Sequence, residues 1–124
     1  MNSFNDNITK YTPTVSYGED GKLLLKGRCM PEDVAAFFKP LIDWAYALKI
    51  ESLTVDIDLD YLNSTSSRKL LDLLKILDAN NNIKEFIINW HFETGDEDAV
   101  ELGQIYEELL LKASFRYREY HEVA

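Results

Sequence analysis

Cysteine is nearly absent: Cys29 stands alone among 124 residues, so there is no intramolecular disulfide and no CxxC metal or redox pair. Basic residues are also scarce. Thirteen Lys and Arg face 22 Asp and Glu, a formal net charge of -9. That balance repels nucleic acid and anionic membrane surfaces, and no Lys/Arg cluster makes a local exception. No apolar run approaches the roughly 18 residues of a membrane helix. The N-terminus, Met1-Asn2-Ser3-Phe4-Asn5-Asp6-Asn7, has neither the basic nor the apolar region of a signal peptide. A cytoplasmic location is the expectation. The sequence has no GxGxxG, GxxxxGK[ST], GxSxG or HExxH, and His91 and His121 stand in no ligand spacing. No cofactor, no bound metal and no enzymatic activity are expected from its motifs.

What is present suits one domain. The chain is near the commonest domain size, and its 46% hydrophobic residues suffice for a core without staples. Residues 1–12 are polar, end at Pro13 and read as a flexible arm; residues 13–124 read as the domain. Thr14–Tyr17 and Lys22–Gly27 are short strands joined by Gly18-Glu19-Asp20-Gly21, a hairpin loop. Pro31 is suited to a first helical residue, with Glu32 and Asp33 favouring the N-terminus of a helix that runs to Leu48. Pro40 inside it is expected to kink it. Trp44, Tyr46 and Trp90 read as core and edge packing.

The central stretch is Leu53 to Asp78. Leu53, Val55, Ile57, Leu59 and Tyr61 alternate with Thr54, Asp56, Asp58 and Asp60, the period of a strand with one buried face. From Arg68 to Asp78 the charges recur every three or four residues, as on an amphipathic helix. Between them lies the polar loop Asn63-Ser64-Thr65-Ser66-Ser67. After an Asn80-Asn81-Asn82 turn, residues 83–92 are apolar on both faces, as in an interior strand. An acidic loop, 93–98, leads to a third helix over 99–113, with Val100, Leu102, Ile105, Tyr106, Leu109 and Leu110 on its apolar side. Residues 115–120 make the last strand. The order ββαβαβαβ predicts a single-domain α/β fold: a mixed, mainly parallel sheet of about five strands with three helices. Loops after the C-terminal ends of parallel strands are where such folds place their sites, and Asn63–Ser67 is one.

Two chemistries are on offer. Asp56, Asp58 and Asp60, about 6.6 Å apart in successive pairs, could hold Mg²⁺ in a small-ligand or enzyme domain, or could simply cover a solvated strand face. Cys29 precedes a helix that could depress its pKa slightly, and otherwise reads as an ordinary small residue. The hydroxyl run is the second chemistry. One Asn, Ser or Thr is explained by helix capping; four consecutive hydroxyls exceed it, and no glutamate completes a capping box. Arg68 and Lys69 fall in the first helical turn, where cations are disfavoured unless an anion occupies the helix N-terminus. A phosphoryl group there would meet free N–H groups, the positive dipole end and two cations.

Several motifs spread over nearly the whole chain carry a resemblance. They are Tyr11-Thr12-Pro13-Thr14, Gly27-Arg28-Cys29-Met30-Pro31-Glu32, Lys39-Pro40-Leu41-Ile42-Asp43-Trp44, Asp60-Tyr61-Leu62-Asn63-Ser64-Thr65-Ser66-Ser67, and Asp96-Glu97-Asp98 with Glu101-Leu102-Gly103. The chain resembles the SiaC family of bacterial regulatory phosphoproteins, which are similar in fold to STAS-type anti-sigma-factor antagonists. The resemblance implies a signalling switch without catalysis of its own. A cognate Ser/Thr protein kinase phosphorylates the hydroxyl loop, a PP2C-like phosphatase reverses it, and the unmodified form binds an effector such as a diguanylate cyclase. Carried onto this chain, the acceptor is Thr65, with Ser64 second and Ser66 third. Asp58, Asp60, Tyr61, Asn63, Ser67, Arg68 and Lys69 make up the switch loop and partner surface, where a phosphate repels or sterically blocks a docking partner. A STAS-like module binding an anti-sigma kinase is the alternative within the same fold.

Overall fold

In the computed structural model, which describes residues 2–3, 11–18 and 20–121, nine elements follow one another. They are β1 (Asn2–Ser3), β2 (Thr14–Tyr17), β3 (Lys22–Cys29), α1 (Val34–Ala47), β4 (Ser52–Leu62), α2 (Ser64–Ala79), β5 (Glu85–Glu93), α3 (Glu97–Leu109) and β6 (Ser114–Tyr120). The sheet order is β1-β2-β3-β4-β5-β6. The first two pairings are antiparallel and the β3–β4, β4–β5 and β5–β6 pairings are parallel. The five expected strands and three helices are all present. Two-residue β1 adds a sixth strand on the edge of β2, while residues 4–10 of the expected arm lie outside the described residues.

Every crossover joins neighbouring strands and steps the same way across the sheet. With the usual right-handed connection, all three helices therefore lie on one face. Burial agrees: Leu53, Val55 and Ile57 are buried, while Thr54, Asp56 and Asp58 between them are only half-buried. Phe86, Ile88 and Trp90 alternate in the same way with Ile87, Asn89 and His91. β5 is thus not covered on both faces as its apolar run suggests; Ile87 lies on a face that no helix covers.

Under the sheet, α2 inserts Leu70, Leu73, Leu74 and Leu77, all fully buried. Their spacing of three and four makes one stripe, and each contributes about 1.5–3 kcal/mol of burial. α1 supplies Phe38, Leu41 and Ala45. Its cap is Asp33, whose side chain accepts from Ala36 N–H at 3.0 Å, so Pro31 precedes the helix instead of opening it. The helix continues through Pro40. Ala36, whose carbonyl loses its i+4 donor, is exposed, so water can satisfy that group. Tyr46 is exposed, whereas Trp44 packs edge-on against Tyr17 and donates to Gly18 O.

α3 starts two residues earlier than its sequence pattern suggests, at Glu97, because Asp96 caps it through Ala99 N–H. It ends at Leu109, short of the expected 113. Two residues of its predicted apolar side, Ile105 and Leu109, are about half exposed; Tyr106 and Leu110 are buried. Gly103 is required by close approach, since a Cβ there would lie 2.9 Å from the Trp90 indole nitrogen.

The turn from α3 into β6 hangs on Asp78, at the end of α2. Its carboxylate accepts from the N–H groups of Leu111, Lys112 and Ala113 at 2.8–2.9 Å. Lys112 in turn donates to the carbonyls of Asn80 and Ile83. Asp78→Ala strands three backbone donors and should cost about 2–3 kcal/mol, with Asp78→Asn losing less. Urea unfolding should show this as a lowered midpoint at unchanged slope.

Candidate functional site

The site grows out of the junction between β4 and α2. β4 alternates regularly until Leu59, which pairs with Gly27; the next pairing is Tyr61 with Arg28, leaving Asp60 as an extra residue. Gly27, at φ +117, adopts a backbone conformation that side chains disfavour and permits the irregularity. The bulge reverses the alternation. Leu62, paired with Cys29, now faces the helices, and Tyr61 is turned outward at 51% exposure. The sequence pattern, which assigns Tyr61 to the buried set, fails at this one residue.

Asn63 then ends the strand and caps α2. Its side chain accepts from Ser66 N–H at 2.8 Å and its carbonyl from Ser67 N–H at 2.8 Å. The hydroxyl run is therefore not a loop. It is the first turn of a helix that begins at Ser64, four residues before the expected start at Arg68. Arg68 and Lys69 consequently lie in the second turn, beyond the strongest part of the dipole.

Helical phase sorts the four hydroxyls. Ser64 and Thr65 are exposed, and no hydrogen bond to either backbone N–H is present among the described residues. Ser66, third among the expected acceptors, is fully buried. A kinase cannot reach it without unwinding the turn. Its Oγ has no hydrogen-bond partner of ordinary geometry, only a weak sulfur contact with Cys29. Ser67 points inward to α3: its hydroxyl lies 2.8 Å from the Tyr106 hydroxyl, which also donates to Ser67 O.

Two buried acids follow from this packing. Burial pushes the Cys29 thiol up from 9.0 to about 11, the Ser66 contact opposing it. Any lowering by the helix that follows Cys29 is outweighed by burial, and Cys29 is an ordinary buried residue. Burial likewise raises the Tyr106 phenol from 10.0 to about 12.

The three aspartates of β4 do not converge. Asp56 Oδ1 meets His91 Nε2 at 2.9 Å, Asp58 lies in register beside Lys26, and Asp60 is displaced by the bulge. Among the described residues no group of three His, Cys, Asp or Glu side chains is disposed to hold a metal ion. The Mg²⁺ arrangement read from the alternation is therefore not formed.

A feature no local pattern announces lies next to the bulge. β4 pairs with β5 only as far as Ile57 opposite Trp90. Beyond that, β4 stays with β3 while β5 continues with β6 as far as Glu93 opposite Tyr120. The sheet splits, and the gap is a cleft of about 270 Å³. Ile57, Leu59, Trp90 and Leu102 give it apolar walls, and Asp60, Asp96 and Asp98 rim it. Trp90 is held by a hydrogen bond to Ala99 O at 2.8 Å and an edge-on contact with Tyr106. Tyr106 thus touches both the cleft wall and the turn carrying Thr65. Of the expected site residues, Asp60 and Tyr61 line the cleft and Asn63 adjoins it. Asp58 belongs to the helix-free sheet face, and neither Arg68 nor Lys69 lines the cleft.

Accessible hydroxyls on a capped helix turn, beside a cleft at the strand ends, suit the class of regulatory domains controlled by covalent modification. The chain belongs to the SiaC family: the family model, described as SiaC family regulatory phosphoprotein, matches residues 7–120. It is similar to SiaC of Pseudomonas aeruginosa as solved in complex with the diguanylate cyclase SiaD, whose activator that SiaC is. The identity there is 25% and the TM-score 0.83, over 97% of this chain and 100% of that one. A second structure of P. aeruginosa SiaC superposes with a TM-score of 0.78 at 24% identity, over 97% of this chain and 100% of its own. An uncharacterized protein of P. aeruginosa strain UCBPP-PA14 is 28% identical over 105 residues, 81% of this chain and 83% of its own. The matched structures share the mixed α/β sheet and three helices. No helix of the described residues is long and apolar enough to cross a membrane.

Both raised acids are neutral when folded and ionise more readily when unfolded. Their contribution to stability is complete below about pH 9 and is lost as pH rises toward 11 for Cys29 and 12 for Tyr106. Each titrating group steepens the loss by about 1.4 kcal/mol per pH unit. Urea midpoints measured from pH 8 to 11.5 should fall accordingly. Tyr106→Phe should start less stable, by about 1–2 kcal/mol, and decline less steeply above pH 10.

Proposed function

We propose that this chain is a non-catalytic signalling switch whose exposed Thr65 is reversibly phosphorylated and whose unmodified form docks on and regulates a diguanylate cyclase. The single observation that carries the acceptor assignment is helical phase. Within the first turn of α2, Ser66 is buried and Ser67 is engaged by Tyr106, leaving Thr65 and Ser64 as the hydroxyls a kinase can reach. Family membership supports modification as the mode of control. The cyclase as effector is supported by the similar SiaC that was solved with its cyclase. A cognate Ser/Thr kinase and an opposing PP2C-like phosphatase complete the cycle.

The turn suits a phosphate. Thr65 is the second residue after the Asn63 cap, at the positive end of a 16-residue helix. A phosphoryl group of about -1.5 to -2 charges sits there without opposing the dipole. Refolding is not required for it to act, because Leu62, three residues earlier, lines the cleft. The group places bulk and charge where a partner would approach. Residues 13–124 act as one domain in this scheme.

Intact mass and fragmentation after incubation with Ser/Thr kinases of the same organism should place a single phosphoryl group on Thr65, with Ser64 the minor product. Thr65→Ala should keep cyclase binding within about twofold, because an exposed substitution of this kind shifts stability by under about 0.5 kcal/mol, and should escape kinase control. Label confined to residues outside 64–65 would refute the acceptor assignment. Loss of cyclase binding in Thr65→Ala would make the turn itself a contact surface.

A further inference from the structure

We infer that the split between β4 and β5 is the docking site for a partner protein segment carrying an apolar anchor next to an arginine. The inference rests on the reading that the unmodified chain docks a protein partner, and adds where and by what chemistry it does so.

The geometry of the gap carries the argument. β4 from Asp58 to Leu62 and β5 from His91 to Glu93 are adjacent strands of one sheet that no longer pair with each other. Each therefore turns an unladdered backbone edge toward the gap, the kind of edge that accepts an incoming chain. The walls are Ile57, Leu59, Trp90 and Leu102. Trp90 is itself nearly fully buried and locked by Ala99 O and Tyr106. Its position does not depend on an occupant, so the wall is preformed. A volume of about 270 Å³ is at the small end of ligand pockets. It suits one or two side chains.

Charge selects the occupant. Asp60 and Asp98 are exposed at the rim, and Asp96 spends one oxygen on capping α3. No lysine or arginine lines the cleft, and His91, the basic residue in its lining, already meets Asp56 at 2.9 Å. Tyr61, turned outward by the bulge, sets an aromatic ring on the same rim. A planar guanidinium can take a carboxylate bidentately and stack on an aromatic face; a lysine ammonium cannot do the first. An acidic segment would face the carboxylates of Asp60, Asp96 and Asp98.

The same chemistry alters how a phosphate acts. On such a partner a phosphorylated Thr65 would act by bulk and by competing for the arginine. It would offer the arginine a stronger acceptor than Asp60 or Asp98, placed on α2 outside the cleft, and so draw the anchor away from its apolar walls.

The test uses the full chain, labelled with ¹⁵N, titrated with N-acetyl-leucyl-arginine amide. Saturable shifts are expected at Leu59–Leu62, at the Trp90 indole N–H and at Asp98–Leu102. The citrulline analogue, which keeps the shape and loses the charge, should bind at least about fivefold more weakly, as should arginine peptide on the Asp60→Asn/Asp98→Asn double variant. Shifts that fail to saturate, that map elsewhere, or that are equal for arginine and citrulline overturn the proposal whether or not the variant folds. Cyclase binding by the wild-type chain is scored separately. If the cyclase binds and the folded double variant binds it equally well, the cleft assignment falls while the function stands. If the cyclase does not bind but the arginine peptide saturates in the cleft, the effector reading falls and the cleft remains.

Discussion

The arrangement at this end of the molecule depends on one side chain, Asn63, accepting the Ser66 N–H. That bond fixes where β4 stops and extends α2 back over the hydroxyl run, so the four hydroxyls take the phase of the leucine stripe that follows. Ser66 stands four residues before Leu70 and shares its buried face with Leu73 and Leu77. Ser64 and Thr65 fall on the exposed side. Capping is often treated as a local stabilisation of about 1 kcal/mol. Here it also decides that the hydroxyl run is helical and not a loop.

The cap acts together with the bulge at Asp60. By reversing the alternation over the last two residues of β4, the bulge turns half-buried Leu62 toward the core and Tyr61 away from it. It also marks where β4 parts from β5. The strand order is monotonic, so the sheet has no topological switch point, the place where doubly wound folds open their crevice. Splaying of two parallel neighbours makes a crevice here by another route. Tyr106 ties the parts together: it packs on the Trp90 wall and holds Ser67, so the turn offering Thr65 and the wall of the cleft share one buried side chain.

An uncovered sheet face is the other consequence of three crossovers stepping the same way. That face carries Lys22, Lys26, Asp56, Asp58, Asn89 and His91, polar enough to remain in water as antiparallel faces do. The Asp56–His91 contact belongs to it. Asp56 and Asp58 are accounted for as the solvated side of a half-covered strand, while Asp60, displaced by the bulge, lines the cleft.

Much of this was legible along the chain. Period-two alternation from Leu53 to Ile57 and the three-and-four spacing of α2 each reflect one buried face, a property of consecutive residues, and the βα order follows from them. The motifs about Asn63 and Thr65 pointed to the family. Three things could not be read there. Four hydroxyls in a row do not say where the helix starts, and Asn63 competes with Ser64 to Ser67 as its cap on propensity alone. The bulge needs Gly27, 33 positions upstream of Asp60, to take its positive φ. The cleft is made by Ile57, Trp90 and Leu102 meeting where two strands part company. Local periodicity determined which faces are buried. Only the pairing of distant strands could decide where the pairing ends, because a hydrogen-bonded ladder stops for reasons that lie on its partner.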